Sequence, residues 1–432
     1  MLSRAFLLLL AMWLILVLSS PVQGAGFALQ QQGTAAMAQG NAFVAQADDP
    51  TAIFYNPAGL NQLKRAEVYL GTVFNHPDRE FHPAAGPVSD TNHRWYHVPT
   101  IYAAIPFNDR VAAGVGVFSP FGLGTAWSPS WVGRYLTTAS TLQTFNLNPA
   151  VSVKALENLS LAAGLDVLWS SVRLKRKIPI FLPTPNGLVQ LPDGESNMGG
   201  SGMGWGYNLG ALYECIPGVK FGVSYRSEIS VNHSGDLALS VPQAIPAPFR
   251  PPARVGGDSD LTFPPSVTFG VAYSRLKPFT FEFDATWTGW STYDQLQLNF
   301  QQKVPVAGKL ASSALQPKNW HDAWAFRFGA NYEVKPGMKL RAGYIYDLTP
   351  VPDDTFDPQV PDSNRHIFTA GGDIKIKRLT LGLAYNFVLQ ENRTKNNIIT
   401  LNGAPLASPA FQANGRYQGH SHSVALSSSF RF

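Results

Sequence analysis

Ser421-His422-Ser423-Val424-Ala425-Leu426-Ser427-Ser428-Ser429-Phe430-Arg431-Phe432, at the C-terminus, divides into two faces when read at every second position. Val424, Leu426, Phe430 and Phe432 fall on one face. Ser423, Ala425, Ser427, Ser429 and Arg431 fall on the other. A period of two is that of a β-strand. An apolar face opposed to a polar one suits a strand with lipid on one side and a wet lumen on the other. The same division recurs upstream. Val219, Phe221, Val223 and Tyr225 oppose Lys220, Ser224, Arg226 and Glu228, and Phe279, Phe281, Phe283 and Trp287 oppose Thr280, Glu282, Asp284 and Thr286.

A soluble sandwich alternates in this way too, so the connections must separate the two readings. The pattern predicts fourteen strands between 66–75 and 421–432. Long connections (76–92, 119–139, 177–202, 234–264, 301–318, 349–364 and 391–420) alternate with tight turns such as Lys335-Pro336-Gly337. An even strand number with long loops at one end and short turns at the other is the pattern of a closed transmembrane β-barrel. Closure is needed because lipid offers no water to an open sheet edge. The fold expected is therefore an all-β, antiparallel outer-membrane barrel over 66–432. Its terminal Phe432 resembles the signal by which the barrel-assembly machinery recognises such chains.

Composition agrees. Charged residues are 14% of the chain, against about a quarter in a typical soluble domain. Arg4, the apolar run Ala5 to Leu18 and the small residues at Val22-Gln23-Gly24 predict a secretory signal over 1–24, with the mature chain beginning at Ala25. Cys215 is the only cysteine, so no internal disulfide or thiolate cluster can form. The histidines show no paired ligand spacing, and no metal or other cofactor is expected. No basic run interleaves with aromatics, which argues against nucleic acid. The expected partners are outer-membrane lipid and lipopolysaccharide around a monomer in a Gram-negative cell.

Residues 25–65 do not alternate. Gly33, Gly40, Asp48-Asp49-Pro50 and Asn56-Pro57-Ala58-Gly59 mark turns. Such a segment can fold inside the lumen as a plug, without which a wide barrel is a water pore.

Ala25-Gly26-Phe27, Ala47-Asp48-Asp49 and Asn56-Pro57-Ala58 resemble the N-terminal hatch of the long-chain fatty-acid transporter (FadL) family. Pro120-Phe121-Gly122-Leu123-Gly124, Tyr225-Arg226-Ser227-Glu228, Pro350-Val351-Pro352, Pro361-Asp362 and Arg365 extend the resemblance, in order, over the mature chain. It implies passive transport of hydrophobic compounds, long-chain fatty acids first. The family also contains importers of aromatic hydrocarbons, so the ligand stays open. The implied route runs from capture at outer loops to a pocket above the hatch, then sideways through a gap at a kinked third strand.

Candidate residues follow, each with its plainer reading. Asn56, Pro57 and Ala58 would set the hatch against the kinked strand, or form an ordinary Asx-Pro turn. Phe27 would line the pocket, or fray as a terminus. Gly114 and Gly116 would let the third strand bend, or merely fit a crowded lumen. Gly204 and Gly206 point inward by alternation and would leave volume for an acyl chain, or start a flexible strand. Phe118, Phe121, Leu123, Trp127, Trp131 and Tyr135 would form a capture groove, or pack their loop. Lys318 or Arg327 would meet a carboxylate headgroup. The other inward charges, Arg226, Glu228, Glu282, Asp284, Arg341 and Asp347, are expected to pair and hold the hatch.

Three rivals fare worse. Gly257-Asp258-Ser259 superficially resembles a lipase nucleophile block, but no strand-to-helix elbow or clear partners accompany it. A non-selective porin leaves residues 25–65 without a place. An adhesin or phage-receptor role would be secondary.

Overall fold

The computed structural model describes residues 26–185, 187–245, 250–306, 309–406, 408 and 411–432; the expected signal and cleavage point lie outside these. Fourteen antiparallel strands close on themselves. The single-piece strands are β1 (Glu67–Pro83), β2 (Tyr96–Pro106), β4 (Ala139–Leu156), β5 (Leu159–Thr184), β6 (Gly187–Ile216), β11 (Met338–Asp347), β12 (Arg365–Ile376), β13 (Leu379–Gln390) and β14 (Gly415–Arg431). The interrupted ones are β3 (Val111–Phe118, then Gly122–Ala126), β7 (Val219–Arg226, Ile229–Ser240), β8 (Arg254–Phe263, Ser266–Tyr273), β9 (Phe279–Thr288, Gln295–Val306) and β10 (Lys309–Pro317, Ala323–Lys335). The wall closes where β1 pairs with β14, from Glu67↔Arg431 to Pro83↔Gly415.

Alternation decides what faces lipid. On β6, Trp205, Tyr207 and Leu209 are exposed, while Asn208 between them is buried in the lumen. Short turns join the strands at one end, among them Pro336-Gly337, where Gly337 has φ +83°, a conformation that favours glycine.

Three expected loops prove to be strand. Segments 177–202, 234–264 and 301–318 largely continue the ladders, for example Lys175↔Asn197 and Ile180↔Leu191. β5 and β6 reach 26 and 30 residues, whereas about 9–11 suffice to cross the membrane. Beyond the bilayer the outer face meets water, so it need not be apolar. The alternation that reveals a strand in lipid then fades.

The segment from Gly26 to Leu63 lies within the ring of strands. It holds two short helices, α1 (Thr34–Ala38) and α2 (Ala52–Tyr55), and a 3-10 turn, Pro57–Gln62. Its partners come from all round the wall. The Thr34 amide donates to Tyr69 Oη on β1 (2.8 Å), Tyr102 Oη on β2 donates to the Gln32 carbonyl (3.1 Å), and Thr369 Oγ1 on β12 donates to the Ala38 carbonyl (3.0 Å). On β6 the Ala211 carbonyl accepts from Asn56 Nδ2 (3.0 Å), and on β4 Ser152 Oγ donates to the Ala58 carbonyl (3.2 Å). Where the segment's backbone comes closest to the wall at Val44 and at Gln39–Gly40, the wall residue is glycine. A Cβ at Gly222 would overlap the Val44 carbonyl, and one at Gly343 would overlap the backbone at Gln39 and Gly40.

Candidate functional site

Above this segment the lumen is apolar. A chamber of about 730 Å³ is lined by Phe27, Leu123, Leu142, Val172, Leu261 and Leu298, with Ser140, Thr141, His233, Ser259 and Gln359 among its polar members. None of its lining residues is Asp, Glu, Lys or Arg. Phe27 closes its floor. Its ring stands edge-on to Trp290 (4.6 Å), Tyr293 (5.6 Å), Phe121 and Phe263 (both 6.1 Å). Packing of this kind holds an aromatic more firmly than area burial alone. Further up, Met198 and Leu298 join Leu237, Val255, Val304 and Leu401, so the inward faces of the extended strands carry an apolar surface to the chamber.

Charge is kept to the chamber's edges. Lys318 is buried and paired with Asp357 (2.5 Å), which also accepts from Gln316 Nε2 (2.9 Å). Burial pushes the Lys318 ammonium down, but Asp357 beside it outweighs this and holds it above the usual lysine range. His233 shares a 2.8 Å hydrogen bond with Ser170 Oγ. A second cavity, about 680 Å³, lies on the other side of the Phe27–Phe121 contact; Gln30, Asn41, Tyr55, Arg226, Asp284 and Arg327 line it. Arg226 pairs with Asp166. Arg327 reaches Thr286 and forms no ion pair among the described residues.

Two carboxylates on β9 grip the N-terminal segment. Asp284 Oδ2 accepts from the Phe43 (2.8 Å) and Val44 (3.1 Å) amides. Glu282 accepts from the Ala45 (2.6 Å) and Gln46 (3.1 Å) amides. Four successive N–H groups thus meet the acceptor oxygens of two neighbouring carboxyl groups.

Beside the second cavity, whose lining includes Ala28, Pro120 and Phe121, the wall is broken. β2 pairs with β1 from Tyr96 onward, but its ladder with β3 begins only at Ile101↔Val117. β3 follows β4 up to Phe118↔Asn146 and resumes at Gly122↔Gln143. Between these, Ser119-Pro120-Phe121 leaves the backbone ladder, with Phe121 held to β4 through Thr144 Oγ1, and turns to the N-terminus. The Leu29 amide donates to the Pro120 carbonyl (2.8 Å), the Gly122 amide to the Phe27 carbonyl (2.8 Å), and Gln32 Nε2 to the Ser119 carbonyl (2.6 Å). The β2–β3 ladder therefore runs from Ile101↔Val117 to Pro106↔Ala112. Leu29 covers the break from inside, packed on Tyr96 and Val98. Above, the Asn92 amide closes it on the Ala126 carbonyl (2.8 Å). Pro99 and Pro120 have no N–H to leave unpaired here.

Several sequence expectations are relocated. Gly114 and Gly116 do not form the bend, since both sit in unbroken ladder. A Cβ at Gly114 would lie 2.7 Å from Ile53 Cδ1, and one at Gly116 would lie 2.8 Å from the Tyr102 ring. They admit the N-terminal segment; the break follows them. Gly204 and Gly206 leave no free volume, because β7 is interrupted after Arg226 and Ile229 fills the space; a Cβ would lie 2.7 Å and 2.6 Å from it. Trp127 and Trp131 form no open groove. They stack at 4.4 Å inside the lumen, beside Phe81 and Tyr417. Phe118 belongs lower down, stacked on Tyr102. Tyr135 bonds to Asp193 (2.7 Å). Phe27 and Leu123 do line the chamber, and Phe121 packs on Phe27 from the second cavity. Asn56, Pro57 and Ala58 abut Gly210 on β6 rather than the break. Among the inward charges, Arg341 pairs with Asp373 and Asp347 with Arg365 (2.8 Å), while Glu228 is exposed.

Sequence reasoning missed Leu29, Trp290, Tyr293, Trp320 and the Asp166 and Asp357 anchors, and Leu29, Trp320 and the two aspartates carried no signal of their own. The density of rings at Trp287, Trp290 and Tyr293 beside Gly289 was one that could have been read.

Known proteins share this architecture. The sequence model of the family described as "Outer membrane protein transport protein (OMPP1/FadL/TodX)" matches residues 15–432. A "putative outer membrane protein" of Neisseria meningitidis serogroup B is 26% identical, with 96% of each chain covered. A "long-chain fatty acid transport protein" of Escherichia coli K12 is 23% identical, over 83% of this chain and 86% of its own. Among solved structures, a Pseudomonas aeruginosa FadL homologue superposes with a TM-score of 0.80 at 20% identity, covering 94% of this chain and 100% of that one. The Pseudomonas putida toluene transporter TodX does so at 0.70 and 18%, covering 95% and 100%.

Proposed function

For a chain that belongs to the OMPP1/FadL/TodX family, and so is an outer-membrane transporter of hydrophobic compounds rather than an enzyme, we propose a passive route in three stages. The ligand is first gathered on the apolar inner surface of the extended strands. It then settles in the chamber above Phe27, leaving water for an apolar lining. Finally it leaves sideways into the membrane between β2 and β3, when the N-terminal residues Phe27 to Leu29 move off the break. The observation that carries this reading is the break itself. It lies at the second cavity, a short way along the chain from the chamber's Phe27 and Leu123, and residues Phe27 to Leu29 cover it from inside.

The ligand we infer first is a long-chain fatty acid, as for the Escherichia coli relative, with its carboxylate displacing Asp357 from Lys318. A second reading, a neutral aromatic hydrocarbon, is favoured by the lining: among the described residues no Lys or Arg lines the chamber, and Lys318 at its edge is paired with Asp357.

A cysteine pair tests the route. In a Cys215→Ser background, Leu29→Cys and Val98→Cys would tie the N-terminal segment to β2. Under oxidation, uptake of oleate or toluene into vesicles should stop while binding persists, and a reductant should restore it. Undiminished uptake by fully oxidised protein would refute lateral exit.

A further inference from the structure

Charge is unevenly shared among the short turns at one end of the barrel. Arg275 and Lys277 lie in the β8–β9 turn, Lys335 at the β10–β11 turn, and Lys375, Lys377 and Arg378 at the β12–β13 turn. All six are exposed, and none forms an ion pair among the described residues. Two carboxyl groups share these stretches. Asp373 is paired with Arg341, which leaves Glu333 as the one unpaired acid beside six cations among the described residues. Lys339 is separately paired with Asp48 (3.8 Å). The β2–β3, β4–β5 and β6–β7 turns are balanced instead. Arg110, Lys154 and Lys220 stand with Asp109, Glu157 and Glu214, and Glu157 takes both Lys154 (2.7 Å) and Arg110 (3.8 Å).

The basic turns form one arc. The Glu333 amide donates to the Pro278 carbonyl (3.1 Å), which joins the β8–β9 turn to β10, and the Lys375 amide donates to the Gly337 carbonyl (2.7 Å), which joins the β10–β11 turn to β12. In a ring of fourteen strands this arc lies across from the break between β2 and β3.

The ladder sets its height. Every second residue of β13 from Leu379 to Leu389 is apolar or aromatic and alternates with buried Ala384, Asn386 and Val388. These ten steps make about 34 Å of strand at ~3.4 Å each, or about 26 Å along the membrane normal at a tilt of ~40°. That matches the ~25 Å apolar band of such barrels. Lys377 and Arg378 directly precede Leu379 and so stand at the edge of the band on the short-turn side, which is the periplasmic one. The register carries the edge sideways: Leu379 opposes Ile376, and on β9 and β10 Phe279 opposes Tyr332. Ile374, Ile376, Tyr332 and Phe279 are exposed, as lipid-facing residues must be. An apolar wall thus meets a row of cations at headgroup level.

We propose that this arc of the rim binds anionic glycerophospholipids of the periplasmic leaflet. Acyl chains lie along Phe279, Tyr332 and Ile376, and the phosphodiester meets the lysines and arginines of the turns in charge-assisted hydrogen bonds. Like charges crowded on one arc repel each other. An anionic headgroup relieves that repulsion, whereas a zwitterionic one brings its own cation and relieves less of it. The bound lipids pin the rim at the leaflet boundary on the side away from the β2–β3 break.

The test uses the full-length protein in vesicles of equal phosphatidylglycerol and phosphatidylcholine, extracted in mild detergent and weighed by native mass spectrometry. Wild type should retain phosphatidylglycerol over phosphatidylcholine, less so after extraction at high salt. A variant with Arg275→Gln, Lys277→Gln, Lys335→Gln, Lys377→Gln and Arg378→Gln should lose the preference, by about fivefold for each cation removed from a phosphate. Lys375, which alternates with the outward Ile374 and Ile376, is left in place. Arg110→Gln with Lys154→Gln, on the balanced side, should keep the preference. Neither phosphodiester nor Lys or Arg titrates between pH 6 and pH 8, so the preference should be level across that range. Heat-modifiable mobility checks folding, and Lys377→Gln with Arg378→Gln serves if the larger variant fails to fold. A preference unchanged in the folded variant overturns the proposal and leaves an acidic periplasmic protein as the counterpart of these cations. A preference lost equally in the control variant also overturns it, since the arc would then have no special part in choosing lipid.

Discussion

Asp284→Ala should loosen the N-terminal segment while leaving the barrel wall intact. The Asp284 carboxylate serves the Phe43 and Val44 amides at 2.8 and 3.1 Å, inside a lumen where both residues are buried. Removing it orphans two buried N–H groups. Each costs about 1–3 kcal/mol when left unsatisfied, so the anchored state loses about 2–6 kcal/mol. Water entering the new space pulls the figure toward the lower end. Glu282 continues to hold Ala45 and Gln46, so the loss is confined to one half of the grip. At about 1.4 kcal/mol per tenfold, a loss of about 3 kcal/mol raises the detached population roughly a hundredfold. Amide hydrogen exchange at Phe43 and Val44 should quicken by that factor, and planar bilayers should show brief conducting events that the native protein lacks. Asp284→Asn, which keeps one acceptor oxygen, should fall between. Unchanged protection at Phe43 and Val44 in the alanine variant would show that the two carboxylates do not anchor the segment.

Deleting residues 25–60 should convert the protein into a steadily conducting pore; equal conductance with and without the segment would remove its role as a plug. Gly222→Leu forces a side chain onto the Val44 carbonyl and should give the same conducting phenotype with normal heat-modifiable folding, whereas a silent, fully occluded variant would count against the close docking described. Phe27→Ala removes the ring that meets Trp290, Tyr293, Phe121 and Phe263; ligand affinity measured by tryptophan quenching should drop by at least about tenfold, the scale of a lost aromatic contact plus its buried area, and unaltered binding would place the ligand elsewhere. Lys395 lies in the loop between β13 and β14, hydrogen-bonded to the Gln412 carbonyl (2.6 Å) and Asn414 Oδ1 (2.8 Å), and burial pushes its ammonium down to about 8. A base depressed on folding releases its proton first in the folded state, so closure of this loop should strengthen as pH rises from about 8 toward the ordinary lysine value of about 10.4. Loop nicking, normalised to a peptide substrate, should slow over that window and stay flat below it, and Lys395→Met should abolish the trend.

The sequence by itself determined the wall of this protein. Wherever a strand crosses lipid, the bilayer demands an apolar residue at every second position, and so Val424-Leu426-Phe430-Phe432 and Phe279-Phe281-Phe283 carry the fold in their spacing alone. The turns at Pro217-Gly218 and Pro336-Gly337 set the reversal points for the same local reason. Above the membrane that demand lapses, and the upper halves of β5 and β6 read as loops although they are strand. The interior was legible only as chemistry, because what an inward residue meets depends on chain far away. Gly114 looks identical to a bending residue until Ile53 is seen against it. Gly204 looks like room for a ligand until the interruption of β7 turns Ile229 into that room. The break at Ser119-Pro120-Phe121 has no period to announce it. It exists because the Ser119 and Pro120 carbonyls and the Gly122 amide find their partners in Phe27 to Gln32 and not in β2, a choice of hydrogen-bonding partner that only the closed tertiary structure makes.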